Sequence, residues 1–343
     1  MLPMASSIDT AAAALRRAVY YLDRSLAPTP KVRAFRTALA VVEGLDDAEL
    51  DRRLAEGSIT ELDGIGPSTG AVITEAFRDP GPKGYLAKLA ASTALAAGEG
   101  AELRTRLRGD CHLHSTWSDG GASIEEMART AIDLGHEYIV LTDHSPRLTI
   151  AHGLSQERLD EQRVEVERLN ELLSPFRILR GVEVDILEDG TLDHADDVLA
   201  GLDIVVASVH SKLKMPAEQM TRRMVMAVAN PHVDILGHCT GRQIVGTPRA
   251  PSAFDAEIVF AACAKFGTAV EINCRPERQD PPDELLELAL DWDCYVSIDT
   301  DAHAPGQMEW QISGCDKAVR HGIADDAIIN TRSADELLAW AAG

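Results

Sequence analysis

The spacing of apolar residues along the chain changes near residue 108. Before that point they recur every three to four positions, which predicts helices over residues 10–26, 31–42 and 46–56. After it, short runs rich in β-branched residues alternate with amphipathic stretches of helical length. The predicted strands are residues 108–112, 138–142, 178–183, 204–209, 233–237, 269–273 and 295–299.

Predicted helices separate these strands. One begins at Ser123, which forms a capping box with Glu126, and closes at Gly135. The other predicted helices are residues 156–173, 218–228, 255–266 and 284–290. Because strands and helices alternate without hairpin signals, the sheet should be parallel, and seven repeats favour a barrel over a doubly wound sheet. The predicted fold class is α/β, with a (β/α)7 barrel over residues 108–343.

A small all-α domain is predicted over residues 1–100, and the Ala-rich stretch at its end is expected to be a linker. Of the net charge of −22, residues 1–100 carry −2 and the remainder carries −20. This excludes a broad basic surface for nonspecific binding of polyanions. An anionic substrate would therefore need local positive charge.

No run of 18 uncharged apolar residues occurs, and the first residues lack the pattern of a signal peptide, so we expect no membrane partner. The six cysteines are scattered without a CxxC pair, which suits a reducing compartment. The sequence therefore predicts a cytoplasmic location. The sequence does not indicate an oligomeric state.

Polar side chains follow six of the seven predicted strands. In parallel barrels, functional groups collect at the C-terminal ends of the strands. These side chains should therefore meet at one rim. The candidates are His112, His114, Asp119, His144, Glu183, His210, His238, Asp301 and His303.

Imidazole and carboxylate groups are the usual ligands of Zn, Mn and Fe, whereas an all-oxygen set would suit Mg or Ca. Nine candidates exceed the three or four that one ion takes, so we expect two or three divalent ions, with Glu183 as a plausible bridge. Such a cluster lowers the pKa of bound water toward about 7 and holds the attacking and leaving oxygens of a phosphate ester. The predicted substrate is therefore a phosphate ester, hydrolysed by metal-activated water.

Three further residues are candidates for catalysis. Asp143 and Asp185 flank candidate ligands, where they could either orient imidazoles or donate a proton to the leaving group. Arg242 follows the fifth strand, where its guanidinium could hold a substrate phosphate.

The stretches HLHSTWSDG, LTDHS, GVEVDI, DGTLD, SVHS and IDTDAH together resemble the PHP (polymerase and histidinol phosphatase) superfamily. The resemblance is closest to the C-terminal domain of bacterial family-X DNA polymerases and covers residues 108 to about 340. It implies a distorted (β/α)7 barrel with a trinuclear metal site. Asp119 stands where phosphatase members often have His, which favours the polymerase-associated branch. The resemblance assigns His112, His114, Glu183 and Asp301 to one ion, Glu183, His210 and His238 to a second, and Asp119, His144 and His303 to a third.

The N-terminal region resembles the small helical DNA-binding domain of the same polymerases. The sequence LDGIGP at residues 62–67 fits a helix-hairpin-helix motif, whose glycines let backbone N–H groups approach a DNA phosphate. DNA is therefore a predicted partner of this domain. The candidate contacts are Lys31, Arg33, Arg36, Gly64 and Gly66.

Two activities of these relatives are not expected. The nucleotidyltransferase palm that would lie between the two regions is missing, which excludes polymerase activity for this chain. The lysines that act as lyase nucleophiles in relatives are replaced by Ser68 and Val72.

Three functions fit these observations. The leading hypothesis is a metal-dependent phosphoesterase that trims DNA 3′ ends, as a 3′-5′ exonuclease or a 3′-phosphatase. The second is a small-molecule phosphatase of the histidinol-phosphate type. The third is a non-catalytic DNA-binding accessory protein, which the complete set of nine costly polar residues opposes.

Overall fold

The computed structural model describes residues 6–78, 81–96 and 98–343. It separates into a helical unit, which covers the chain up to residue 96 together with residues 305–307, and a barrel unit formed by the rest. Each unit encloses a hydrophobic core of its own.

The helical unit contains, among the described residues, helices α1 (Ser7–Arg24), α2 (Thr29–Glu43), α3 (Asp47–Glu56), α4 (Pro67–Glu75) and α5 (Tyr85–Thr93). Its core forms where the apolar face of α1, including Leu15 and Leu22, packs with Phe35 and Val42 of α2. These residues recur at helical spacing, which places them on one side of each helix. Helix α1 begins earlier than predicted because the side chain of Ser6 accepts a hydrogen bond from the Asp9 amide and completes a capping box.

Helix α5 corrects the sequence analysis, which assigned the Ala-rich stretch before residue 100 to a linker. Tyr85, Leu86 and Leu89 recur at helical spacing and pack against the core of the helical unit. The Tyr85 ring stacks on Phe35 with a centroid distance of 5.9 Å. Alanine is the strongest helix former, so this stretch folds as a helix once a few large side chains find a partner. Residue 97 of the same stretch lies outside the described residues.

The barrel unit is built on one parallel sheet whose seven strands, counted in the described part of the chain, follow the order of the sequence. They are β1 (Gly109–Leu113), β2 (Tyr138–Leu141), β3 (Arg177–Asp185), β4 (Ile204–Ser208), β5 (Ile235–Leu236), β6 (Ala269–Asn273) and β7 (Val296–Asp299). The helices of this unit are α6 (Ala101–Arg104), α7 (Ile124–Asp133), α8 (Gln156–Leu173), α9 (Asp196–Leu199), α10 (Ala217–Val228), α11 (Ala256–Phe266), α12 (Asp283–Asp291), α13 (Gln311–Arg320) and α14 (Ala334–Ala341).

The sheet closes where the first and last strands meet. Leu113 at the end of β1 forms a parallel bridge with Ala302, just after β7. The His114 amide donates a hydrogen bond to the Ala302 carbonyl at 2.8 Å. The result is a nearly closed barrel of seven parallel strands, which confirms the predicted fold class.

Side chains alternate between the two faces of each strand, and β3 shows the consequence. Val182 and Val184 belong to the core formed with α10 and α11, whereas Leu179 belongs to a second cluster that includes residues of α14. Glu183 has the same parity as Leu179 and therefore points toward the barrel interior. A charged residue is thus directed inward by the same alternation that buries its apolar neighbours.

Strand boundaries agree with the predictions to within a few residues. The largest differences are three residues, in β5, which is reduced to Ile235 and Leu236, and in β3, which extends beyond the expected residues 178–183. Predicted and observed bounds coincide for β6.

His136, between α7 and β2, provides a test of burial in the barrel unit. It is 6% exposed, and its Nε2 lies 3.0 Å from Nη2 of Arg104. Burial, together with the charge of Arg104, lowers the pKa of His136 to about 3. In the unfolded chain this imidazole takes up a proton near its ordinary pKa of about 6.5, whereas in the folded chain it stays neutral. Its contribution to stability is therefore present above pH 6.5 and is lost as the pH falls toward 3.

We expect His136→Gln to reduce the dependence of the unfolding free energy on pH below about 6.5, by up to about 1.4 kcal/mol per pH unit. Fluorescence-monitored denaturation suits this test because all four tryptophans, Trp117, Trp292, Trp310 and Trp340, lie in the barrel unit. The control is His232→Gln at a partly exposed position, which should retain the wild-type slope. Equal slopes in wild type and His136→Gln would contradict the buried neutral imidazole.

Candidate metal centre

Glu183 lies at the centre of the polar cluster and is 1% exposed. Its Oε1 atom is 2.8 Å from His238 Nε2 and 3.1 Å from His210 Nε2. Its Oε2 atom is 2.9 Å from His144 Nδ1 and 3.3 Å from His112 Nε2. One carboxylate therefore contacts imidazoles that lie in or just after four different strands.

His114 joins this centre to the outer part of the cluster. Its Nε2 atom is 3.5 Å from Asp301 Oδ1, and its ring lies 4.4 Å from that of His144 and 4.2 Å from that of His303, measured between centroids. Asp119 Oδ1 is 3.4 Å from His303 Nε2 and 3.6 Å from His144 Nε2. The structure thus brings all nine predicted ligands together at the C-terminal rim of the barrel.

Within the described residues, four sets of side chains place one potential ligand atom each within 4.8 Å of one another. The sets are His114, Asp119, His144 and His303; His112, His114 and Asp301; His112, Glu183 and His238; and His144, Glu183 and His210. Several residues belong to two sets, so the cluster is continuous. The grouping also differs from the partition implied by the family resemblance, because His210 groups with His144 and His238 groups with His112.

Unsatisfied ring nitrogens indicate that this cluster suits a metal ion. Among the described residues, neither His112 Nε2, 3.3 Å from Glu183 Oε2, nor either ring nitrogen of His114 has a partner in hydrogen-bonding geometry, and both side chains are fully buried. Leaving a buried polar atom unpaired costs about 1–3 kcal/mol, so such atoms call for an explanation. Divalent ions held by these nitrogens and by the central carboxylate would satisfy them.

The charges in the cluster also favour a bound metal ion. Burial opposes ionisation of Glu183, but the surrounding imidazoles, led by His210, hold the pKa of that carboxyl well below its ordinary value. Burial alone would lower the pKa of His112, yet the carboxylates of Glu271 and Glu183 on either side of its ring raise it well above the ordinary value. The carboxylates around His112 therefore favour positive charge in this part of the cluster.

Two of the candidate ligands have unusual backbone conformations. His238 has a φ of 21° and Asp301 a φ of 52°, and neither is a glycine. Residues other than glycine held at positive φ cost of order 1–3 kcal/mol and cluster at functional sites. Each residue lies two positions after the end of a short strand, and its side chain belongs to the cluster.

Glu271 on β6 was not among the predicted residues. It is fully buried, and its Oε1 atom lies 2.5 Å from His112 Nδ1. Its Oε2 atom accepts hydrogen bonds from the His238 amide at 2.5 Å and from Asn273 Nδ2 at 3.2 Å. One carboxylate thus orients the ring of one candidate ligand and the backbone of another. The available signal was an acidic residue inside an otherwise apolar strand.

The two predicted catalytic aspartates have different surroundings. Asp185 Oδ1 accepts a hydrogen bond from the His210 amide at 3.2 Å and lies 3.4 Å from His210 Nδ1, so it contacts a candidate ligand. Asp143 instead accepts hydrogen bonds from Ser115, Ser118 and Gln162. These contacts tie Asp143 to the loop after β1 and to α8.

A cavity of about 280 Å³ opens over the cluster. Asp119, Glu183 and His303 line it, together with the four arginines Arg242, Arg249, Arg275 and Arg278. Arg275 Nη1 is 3.2 Å from Asp301 Oδ1, and Arg278 Nε is 3.3 Å from Asp301 Oδ2. We call this space the arginine cavity.

Arg242, a predicted catalytic residue, is held in place by the backbone. Its Nε atom donates to the Arg278 carbonyl at 2.9 Å, and Nη2 donates to the Gln279 carbonyl. Arg249 was not predicted to be functional, because it lies eight residues beyond Gly241 in a loop without a motif. Its Nε atom donates to the Gly241 carbonyl at 2.7 Å.

The predicted DNA contacts lie in the helical unit. Lys31 and Arg33 are exposed on α2, whereas Arg36 Nη2 lies 3.2 Å from Asp23 Oδ2. Gly64 has a φ of 86°, which favours glycine, and a Cβ there would lie only 3.0 Å from Thr37 Cγ2. The Gly66 amide donates to the Thr69 hydroxyl at 2.9 Å, so it is already engaged within the hairpin.

A nearly closed barrel of seven parallel strands, with a histidine- and carboxylate-rich cluster at its C-terminal rim, defines the structural class of this protein. Residues 110–286 match the family model described as PHP domain. The chain therefore belongs to the PHP family and is, by class, a metal-dependent phosphoesterase.

Curated proteins to which this chain is similar include a polymerase and a phosphatase. The chain is 42% identical over 235 residues to DNA polymerase/3'-5' exonuclease PolX of Bacillus subtilis, and the match covers 68% of this chain but 41% of that protein. It is 32% identical over 237 residues to a probable phosphatase of Thermoanaerobacter sp., covering 65% of this chain and 89% of that protein. The chain thus spans less than half the length of the polymerase and most of the length of the phosphatase.

Among solved structures, the chain is similar to histidinol phosphate phosphatase from Lactococcus lactis, crystallised with zinc, L-histidinol and phosphate. That likeness has a TM-score of 0.47 at 18% identity and covers 64% of this chain and 95% of the other.

Glu271→Gln should weaken binding of divalent ions by about 10–100-fold, because an amide orients the His112 imidazole less strongly than a carboxylate does. Isothermal titration with Zn or Mn measures the change directly, and elemental analysis of the loaded protein checks the number of ions. Asp280→Asn is the matched control, since Asp280 is also buried but bonds to Thr240. Equal affinity in Glu271→Gln and wild type would contradict the orienting role.

Proposed function

We propose that the protein hydrolyses phosphate esters at DNA 3′ ends, as a 3′-phosphatase or a 3′-5′ exonuclease. The arginine cavity over the nine-residue cluster is the observation on which the proposal depends. Two or three ions of Zn, Mn or Fe would be held by His112, His114, Asp119, His144, Glu183, His210, His238, Asp301 and His303. When bound, such ions activate water and neutralise the charge that develops on a phosphate.

The residues of the chain supply the rest of the site. Guanidinium groups match the geometry of phosphate oxygens, and Arg242 is pre-positioned for this by the two carbonyls that it donates to. Asp185 positions His210 from behind. Four carboxylates line this cavity beside its four arginines, so divalent ions held by the cluster would supply the excess positive charge that an anionic substrate needs.

DNA is favoured as the substrate by two features. The relative with 42% identity is named as a 3'-5' exonuclease, and Asp119 is present where phosphatase members of the superfamily often have histidine. A hairpin domain that binds DNA would also raise the concentration of DNA ends near the barrel.

A small-molecule phosphatase of the histidinol-phosphate type is the second candidate. A cavity of about 280 Å³ is of the size that a small ester would fill, and the relative that this chain covers almost completely is named a probable phosphatase. Membership of an enzyme family and the complete cluster both disfavour the third hypothesis, a non-catalytic accessory protein.

We further propose a cytoplasmic location. All six cysteines are free and buried, which suits a reducing compartment. None of the helices in the described part of the chain is long and apolar enough to cross a membrane.

The substrate is tested with Mn-loaded protein on 3′-phosphorylated DNA, single-stranded DNA and histidinol phosphate. We expect the highest kcat/KM on 3′-phosphorylated DNA and a loss of at least about 100-fold on every substrate in His112→Ala, because that change removes a candidate ligand from the centre of the cluster. His232→Gln is the control and should retain activity. A higher kcat/KM on histidinol phosphate would favour the small-molecule function.

DNA binding by the helical unit is tested by reversing the two exposed charges of α2. Lys31→Glu combined with Arg33→Glu should raise the Kd for DNA by about 10-fold at 50 mM salt and flatten its salt dependence. Lys83→Glu combined with Lys88→Glu changes the net charge of the same unit equally at other exposed positions, and should have a smaller effect. Fluorescence anisotropy with a labelled duplex measures the Kd, and equal losses in the two double variants would mean that net charge alone acts.

A further inference from the structure

A second cavity lies beside the arginine cavity and is larger, with a volume of about 560 Å³. Arg242 lines both cavities, so they meet at its side chain. We call the second one the side cavity. Its walls include Asn273 at the end of β6, and Asn273 Nδ2 lies 3.3 Å from Asp301 Oδ2 in the candidate metal centre. The side chain of Asn273 therefore connects the side cavity to the candidate metal centre.

The charges in the side cavity are balanced, and none of the nine candidate ligands lines it. Its three basic residues, Arg242, Lys317 and Arg320, are matched by the three acidic residues Asp283, Glu284 and Asp316. Lys317 is also occupied, because its Nζ atom donates to the Pro281 carbonyl and lies 3.2 Å from Asp283 Oδ1. A balanced set of charges offers little attraction to a second phosphate group. The side cavity is therefore suited to an uncharged part of a ligand.

The remaining lining is amphipathic. Ile244, Ile272 and Pro282 provide apolar surface, while Gln279 and Ser313 provide polar groups. Ligand pockets of about 300–1,000 Å³ with this mixture bind organic groups whose orientation a few polar contacts fix. The arginine cavity, at about 280 Å³, has half the volume of the side cavity.

We propose that the side cavity binds the nucleoside attached to the phosphate that is cleaved, while the phosphate lies in the arginine cavity. This inference rests on the proposed function, and it extends that function by assigning the nucleoside its own binding site. Arg242 stands at the junction between nucleoside and phosphate. Its Nε and Nη2 atoms donate to backbone carbonyls, which fixes the plane of the guanidinium, so a base or a sugar can pack against that plane while the other N–H groups face the phosphate.

The test uses hydrolysis of p-nitrophenyl phosphate by the Mn-loaded full chain, with inorganic phosphate and thymidine 3′-monophosphate as competitors. The nucleotide should inhibit at a concentration about 10-fold lower than inorganic phosphate does, because it also fills the side cavity. Addition of L-histidinol should not lower the concentration at which inorganic phosphate inhibits.

Ser313→Trp places a large ring at the exposed edge of the side cavity. It should bring the inhibition constant of the nucleotide to within about 2-fold of that of inorganic phosphate, without changing KM for p-nitrophenyl phosphate. Val319→Trp lies on the same helix at an exposed position that does not line this cavity, and it should leave all constants unchanged. Glu284→Trp blocks the cavity from a different helix, in case Ser313→Trp fails to fold.

The outcomes separate the two proposals. Equal inhibition by nucleotide and phosphate in wild type, or a nucleotide preference that survives both blocking variants, would overturn the nucleoside site. A preference that the blocking variants abolish supports it even when DNA is not hydrolysed, and in that case the function at DNA ends fails alone.

Discussion

The site depends on one carboxylate that is buried among imidazoles. Glu183 is almost fully removed from water, which would be costly for an isolated charge, yet four imidazole nitrogens lie within 3.3 Å of its two oxygens. The barrel makes this arrangement possible, because parallel strands deliver side chains from many points of the sequence to one rim. The barrel fold itself therefore assembles the site.

Much of this could be predicted from sequence, because the signals are local. A short apolar run followed by histidine or aspartate marks both the strand and its functional end, and the pattern recurs often enough to identify the rim. Glu271 escaped prediction because its partners, His112 and His238, are distant in sequence and only the closed barrel brings them near. The grouping of His144 with His210 also escaped prediction, because it depends on the distances between loops.

Helix α5 shows a different limit. Alanine-rich sequence is compatible with a linker or a helix, and the decision is made by contacts of Tyr85, Leu86 and Leu89 with residues of the helical core. Asp143 is a comparable case at the site. Its position beside His144 in sequence predicted a catalytic role, but its four hydrogen-bond donors could not be predicted, because they come from separate segments of the chain.

Closure of the barrel has a consequence for how the site is held together. Leu113, which lies between His112 and His114, bridges Ala302, which lies between Asp301 and His303. The residues that close the barrel therefore lie directly between candidate metal ligands. An ion bound by ligands from both β1 and the segment after β7 would stabilise the closed sheet. Exchange of the His114 amide hydrogen with solvent, which requires this part of the barrel to open, would then report on occupancy of the site from the backbone alone.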